Sequence, residues 1–88
     1  MPIISVIIPV YNVGKYIENS MKSVIAQRFA DFEVILVDNN TPDDSIEIAE
    51  KVLAGTNINY RVVKQTIQGL PAARNKGIEK AKGEWIIS

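Results

Sequence analysis

Two stretches of this chain, Ile3–Val10 and Phe32–Val37, are nearly continuous apolar runs, and each ends abruptly in polar residues. Such runs suit strands covered on both faces, because a half-exposed strand would alternate apolar and polar positions. Strands of that kind belong to parallel sheets, whose crossover helices provide the cover. The sequence between them agrees. From Tyr16 the apolar residues fall at Ile17, Met21, Val24 and Ile25, the stripe of a helix with one face on a sheet.

The alternation of periods continues to the end. Ile46, Ala49 and Leu53 form a second helical stripe, and Gly55 is placed to stop it. Thr41-Pro42-Asp43-Asp44 predicts where that helix begins, with threonine as N-cap, proline at the first helical position and aspartate at the third. The same carboxylates suit the positive end of the helix dipole, so a metal at Asp43 or Asp44 is the weaker reading. Ile58-Asn-Tyr-Arg-Val alternates and reads as a half-exposed or edge strand. Leu70–Lys82 reads as a third helix, with Ala73, Gly77 and Ala81 on one small-residue side that can lie close to a sheet. Gly83 stops it, and Glu84-Trp-Ile-Ile-Ser begins a further buried strand.

The order β-α-β-α-β-α-β predicts an α/β fold of three layers, α/β/α, around a mostly parallel sheet with right-handed crossovers. The 88 residues make one small domain at most. A chain of that size buries about 60–65% of its unfolded surface, a marginal core. Because Ser88 falls inside an apparent strand, the sequence reads as part of a longer protein.

Composition removes several chemistries. There is no cysteine and no histidine, so a disulfide framework, a thiol nucleophile, a Cys/His zinc site and a histidine base are excluded within these residues. Basic and acidic residues balance at ten each, leaving no broad positive field for nucleic acid. No segment reaches the ~18 apolar residues of a membrane span, and the start lacks the basic region of a secretory signal. The location is read as cytoplasmic.

In open parallel sheets, ligands bind beyond the carboxyl ends of the strands. The first strand ends in Pro9, Val10, Tyr11 and Asn12, the second in Asp38, Asn39 and Asn40, and one sheet edge should bring them together. Tyrosine offers a flat face to a nucleobase, while Asn and Asp offer directed hydrogen bonds. Asn and Asp are also ordinary turn residues. Asp38, directly after an apolar strand, must be solvated or paired. Arg74, one turn into the third helix, can clamp a phosphate or a base edge, or simply be solvated. Neither a G-x-G-x-x-G nor a P-loop follows the first strand.

"SVIIPVYN", "FEVILVDNNTPDDS" and "GLPAARNKGIEKAKGEWI", in that order, resemble the amino-terminal half of family 2 glycosyltransferases of the GT-A fold. The likeness covers all 88 residues. It implies a Rossmann-like, nucleotide-binding portion of a single GT-A domain over residues 1–88. The whole protein would transfer a sugar from a nucleotide-diphosphate donor to a saccharide or lipid-linked acceptor. Carried over by position, Pro9 and Tyr11 match the site where the base stacks. Asp38 and Asn39 match the acidic pair that recognises the base and ribose, and Arg74 matches an arginine near the nucleotide. Asn12 belongs to the first motif without a separate contact. The family commonly has Asp-Asp-Gly-Ser after strand two, where this chain has Asp38-Asn39-Asn40-Thr41. It often has an acidic residue where Gly14 stands. An Asn39 amide that reads the base can both donate and accept, which suits uracil better than guanine, so the expected donor is a UDP-sugar.

The resemblance also implies a divalent metal, Mg²⁺ or Mn²⁺, held by an Asp-x-Asp motif that would follow these residues. No metal ligand or catalytic base is therefore assigned here, and the 88 residues alone are expected to be inactive. Peripheral attachment at the inner face of the membrane, through regions outside these residues, is kept open. So is self-association through an exposed sheet edge. The rival readings are a non-catalytic nucleotide-binding module and a structural half-domain.

Overall fold

A computed structural model describes residues 2–27 and 31–87. Its elements follow the predicted order: β1 (Ile4–Val10), α1 (Ile17–Ile25), β2 (Phe32–Asp38), α2 (Ser45–Ala54), β3 (Asn59–Lys64), α3 (Leu70–Lys80) and β4 (Trp85–Ile87). The four strands form one sheet in the order β3-β2-β1-β4, every pair parallel. The chain thus steps outward from β1 to β3, then crosses back to the other side of β1. The strand order reverses there.

Strand alternation assigns the two faces. Val6 and Val10 of β1, with Val34 and Leu36 of β2, point to one side and pack with Ile17 and Met21 of α1 and Ile46, Ala49 and Leu53 of α2. Ile7, Ile35 and Val37 point to the other side, where Ala73 of α3 meets them. Both faces of the central strands are covered, which explains the unbroken apolar runs. Val34, Ile35, Leu36 and Val37 are completely buried.

The small-residue face of α3 is real, and it is tight. A Cβ on Gly77 would sit 2.3 Å from Cγ2 of Ile7, so only glycine lets the helix approach β1 so closely. The helix is shorter than the sequence suggests. It ends at Lys80, and Ala81 is already extended at φ −67° and ψ 139°. Gly83 is therefore not a helix stop. It passes against β1, where a Cβ would lie 2.7 Å from the Ser5 backbone nitrogen.

Three further expectations need correction. Helix α2 starts at Ser45 with Asp44 as its N-cap, not at Thr41, because residues 41–44 bond to a different loop, as described below. Gly55 does cap α2, but at φ −80°, which any residue adopts. Strand β4 is not buried: Trp85, Ile86 and Ile87 are 67%, 43% and 42% exposed. Among the described residues it pairs with Ile4–Val6 of β1, and no helix covers it as α1, α2 and α3 cover β1 and β2. Ser88 lies outside the described residues. The edge position expected for β3 is borne out.

A buried polar cluster closes the amino-terminal end of the sheet. Glu33, 5% exposed, accepts hydrogen bonds from the Ser5 hydroxyl at 2.6 Å and the Lys82 amide at 2.8 Å, and pairs with Arg61 at 3.4 Å. Ser5 in turn accepts the Gly83 amide at 2.8 Å. The cluster fastens the entry to β4 against β1 and β2. Burial pushes the Glu33 carboxyl up, but the Ser5 and Lys82 hydrogen bonds and the Arg61 charge outweigh it, and the net shift is downward.

Candidate functional site

The register places Val10 opposite Asp38, so the polar ends of β1 and β2 are neighbours, as the sequence implied. The pairing continues one residue further, where the Asn39 amide donates to the Val10 carbonyl at 3.1 Å. Immediately beyond, on the α3 side of the sheet, opens a cleft of about 260 Å³. Pro9, Val10 and Tyr11 form one wall, Asn39 the floor, and Gln68, Gly69 and Leu70 the other wall, with Ala73 of α3 behind. Tyr11 is half exposed at the mouth. The lining is mainly apolar with a few polar groups, the composition of a small-molecule site. Its volume lies just below the ~300–1,000 Å³ of a whole ligand pocket, enough for the base end of a larger ligand.

Two loops shape the cleft, and each is held by side chains from elsewhere. The β1–α1 loop turns at Asn12, whose φ of 53° lies in the left-handed region that asparagine tolerates. Three successive amides of this loop then meet three acceptors from the β2–α2 segment. Asn12 donates to Oγ1 of Thr41 at 2.8 Å, Val13 to Oγ of Ser45 at 3.0 Å, and Gly14 to Oδ2 of Asp43 at 2.9 Å. Asp43 Oδ1 gathers the acceptors together, receiving the Thr41 hydroxyl at 2.6 Å, the Ser45 hydroxyl at 2.5 Å and the Ser45 amide at 3.1 Å. The two hydroxyls, followed by the amides, hold this carboxyl far below the usual carboxylate range against a smaller upward effect of burial. Asp43 is thus a hub that fixes the loop carrying Tyr11. A Cβ on Gly14 would stand 2.8 Å from Asp43 Oδ2, so the departure at Gly14 makes room for this contact.

The segment leading into the opposite wall, residues 65–69, is held from the end of β2. Asn39 is 3% exposed. Its Nδ2 donates to the carbonyls of Gln65 and Ile67, each at 2.8 Å, and its Oδ1 accepts the Gly69 amide at 2.9 Å. Gly69 sits at φ 123° and ψ 150°, a region open essentially only to glycine, and leads directly into α3. Asp38 uses Oδ1 to accept the Thr41 amide at 3.0 Å, which leaves Oδ2 without a partner among the described residues.

The cleft therefore brings together Pro9, Tyr11 and Asn39; Asp38, the residue before Asn39, does not line it. Asn12 does not line it and serves the turn. Arg74 does not line it either. It is exposed on α3, next to Ala73, and forms no ion pair among the described residues. Sequence reasoning missed Val13, Gln68 and Leu70 as lining residues and Asp43 as the hub. Gly69 and Pro71 are residue types of a loop and a helix start, and nothing local to them marks this wall as part of the site.

Among the described residues, no three acidic, histidine or cysteine side chains come together to hold a metal. The most crowded carboxylate, Asp43, has both oxygens occupied by hydroxyl and amide donors. These described residues do not fit a divalent ion.

The sequence pattern of the family described as "Glycosyl transferase family 2" matches residues 5–88. The chain belongs to glycosyl transferase family 2. Among its relatives, EpsJ of Bacillus subtilis, an uncharacterized glycosyltransferase, is 44% identical over 86 residues, which are 98% of this chain and 25% of EpsJ. Among solved structures, S. aureus TarS 1-349 in complex with UDP-GlcNAc superposes with a TM-score of 0.84 at 33% identity, covering 96% of this chain and 25% of that one. The mannosyltransferase PcManGT from Pyrobaculum calidifontis, in complex with GDP-Man and Mn²⁺, gives 0.88 at 25% identity, covering 97% and 26%. The α/β fold is thus shared with GT-A glycosyltransferases. The chain spans about a quarter of the length of these proteins.

Proposed function

We propose that the protein carrying this chain is a glycosyltransferase that moves a sugar from a UDP-sugar to a saccharide or lipid-linked acceptor, and that residues 1–88 form the nucleotide-binding part of its GT-A domain. The carrying observation is the cleft at the carboxyl ends of β1 and β2, with Tyr11 exposed at its mouth and Pro9 and Asn39 within it. A base can lie against the Tyr11 ring while its edge reaches toward Asp38.

Two observations favour uridine. TarS, the neighbour in complex with UDP-GlcNAc, is more similar in sequence than PcManGT, the one in complex with GDP-Man. Asp38 also has one uncommitted carboxylate oxygen, since Oδ1 holds the Thr41 amide. A single acceptor matches the single imide N–H of uracil, whereas guanine presents two adjacent donors. Asn39 adds nothing to that preference, because its amide is engaged with the 65–69 backbone. Arg74 lies one residue beyond the cleft wall, where an extended side chain can approach the phosphates. A divalent metal, as named for PcManGT, would be held by residues outside this stretch. The site is read as facing the cytoplasm.

Equilibrium binding of UDP and GDP to the full-length protein, with and without Asp38→Ala, tests the reading. UDP should bind more tightly, and Asp38→Ala should weaken UDP by about tenfold, the worth of one charge-assisted hydrogen bond. Tighter GDP binding, or an unchanged UDP affinity in the variant, would overturn the uridine assignment.

A further inference from the structure

Segment 65–69 leads into the far wall of the cleft, which its Gln68 and Gly69 line, yet it has almost no apolar anchorage. Ile67 is 66% exposed, and Thr66 and Gln68 are exposed as well. The Gln65 amide donates to the Asp38 carbonyl and the Gln65 side chain ties to Ala72 and Ile67, while the remaining polar ties come from two adjacent residues after β2. Asn39 holds Gln65, Ile67 and Gly69 through three backbone bonds. Asn40, at φ 62°, turns its side chain the same way and donates to the Thr66 carbonyl at 2.9 Å and to Oε1 of Gln68 at 3.1 Å.

Both residues lie where this chain departs from Asp-Asp-Gly-Ser. Glycine would satisfy the left-handed conformation at position 40 but has no side chain to reach Thr66. Aspartate at position 39 could accept the Gly69 amide but has no hydrogen to donate. It would set a carboxylate against two carbonyl oxygens that now lie 2.8 Å from Nδ2. The departure therefore exchanges an acidic and a flexible residue for two donors aimed at one loop.

We propose that Asn39 and Asn40 form a clasp that sets the far wall of the cleft, so that Asn39 is a positioning residue and does not read the base edge. The clasp fixes Gln68 and Leu70 relative to Tyr11 and so defines the gap into which a base slides. The inference rests on the reading of the cleft as a nucleotide site, and the two fail in different ways.

The test compares Asn39→Asp and Asn40→Gly with the wild type in the full-length protein. The readouts are UDP and GDP affinity and hydrogen exchange at the Ile67, Gln68 and Gly69 amides. With Asn39→Asp the affinities for UDP and GDP should fall together, by about tenfold or more, with their ratio unchanged and exchange at 67–69 accelerated. Asn40→Gly, at an exposed site whose backbone suits glycine, keeps the fold even if Asn39→Asp does not. It should give the same pattern to a smaller degree. A tenfold change in the UDP:GDP ratio with Asn39→Asp, or unchanged exchange at 67–69 in Asn40→Gly, would overturn the clasp. If the wild type binds neither nucleotide, the nucleotide reading falls. Exchange alone then decides the clasp: faster exchange upholds it and unchanged exchange removes it.

Discussion

Asp43 stands two residues before α2, yet its Oδ2 accepts the amide of Gly14, 29 positions away in sequence, at 2.9 Å. That contact ends a ladder in which Thr41, Ser45 and Asp43 take the amides of Asn12, Val13 and Gly14 in turn. The loop bearing Tyr11 is thereby fixed to the end of β2, and the two polar strand ends act as one unit.

Removal of this hub should loosen the loop. Asp43→Asn keeps the size of the side chain but replaces one oxygen by an NH₂, which then faces either the Gly14 amide or the Thr41 and Ser45 donors, where an acceptor is needed. We expect a lower melting temperature, weaker UDP binding and faster amide exchange at residues 12–14. Unchanged exchange there would show that the ladder does not depend on Asp43.

The acid limb of stability should be set by carboxylates held below their ordinary values. Glu33 is shifted down from 4.5 and Asp43 from 3.8, so each contributes stability that is present above those values. That contribution is lost as the pH falls through the lower folded values. Urea unfolding at pH 7 and at pH 3.5 should show a fall for the wild type and a smaller fall for Glu33→Gln. At pH 7 the same substitution should cost about 1–3 kcal/mol, because the Ser5, Lys82 and Arg61 donors lose their shared charged acceptor. An equal fall in both proteins would exclude Glu33 as a source of the acid sensitivity.

Gly77→Ala should destabilise, against its helix propensity. Alanine gains roughly 1 kcal/mol over glycine inside an exposed helix. Here its Cβ would meet the branched, buried Ile7 at 2.3 Å. Overpacking of that kind costs about 1–3 kcal/mol, and separation of α3 from β1 would widen the cleft at Ala73. Denaturant unfolding of the variant decides the sign. A rise in stability would mean that α3 can shift without loss.

The architecture was legible because hydrophobic period reports burial directly. "SVIIPV" and "FEVILV" are nearly continuous because helices cover both faces of β1 and β2. The Ala73 and Gly77 spacing is visible because only small residues fit against Ile7. What stayed hidden was every role that depends on a distant partner. Thr41-Pro42-Asp43-Asp44 has the local pattern of a helix cap, and nothing within it shows that the amides of 12–14 will take the acceptors first. Asn39 has the position of a base reader, but its donors meet the carbonyls of a loop 26 and 28 residues further on. Glu33 sits in an apolar run, and its partners Ser5, Arg61 and Lys82 are scattered across the chain.

We propose that the strand end "VIIPVYN" finishes in a nucleobase site. This is tested most directly by a thermal-shift titration of the full-length protein with UDP, GDP and ADP, alongside Tyr11→Ala. A ligand that binds only the folded state adds about 2.7 kcal/mol at a hundred times its dissociation constant, a readily measured rise in melting temperature. We expect selective stabilisation by UDP that is lost in Tyr11→Ala. Stabilisation by no nucleotide, or an equal response in Tyr11→Ala, would contradict it.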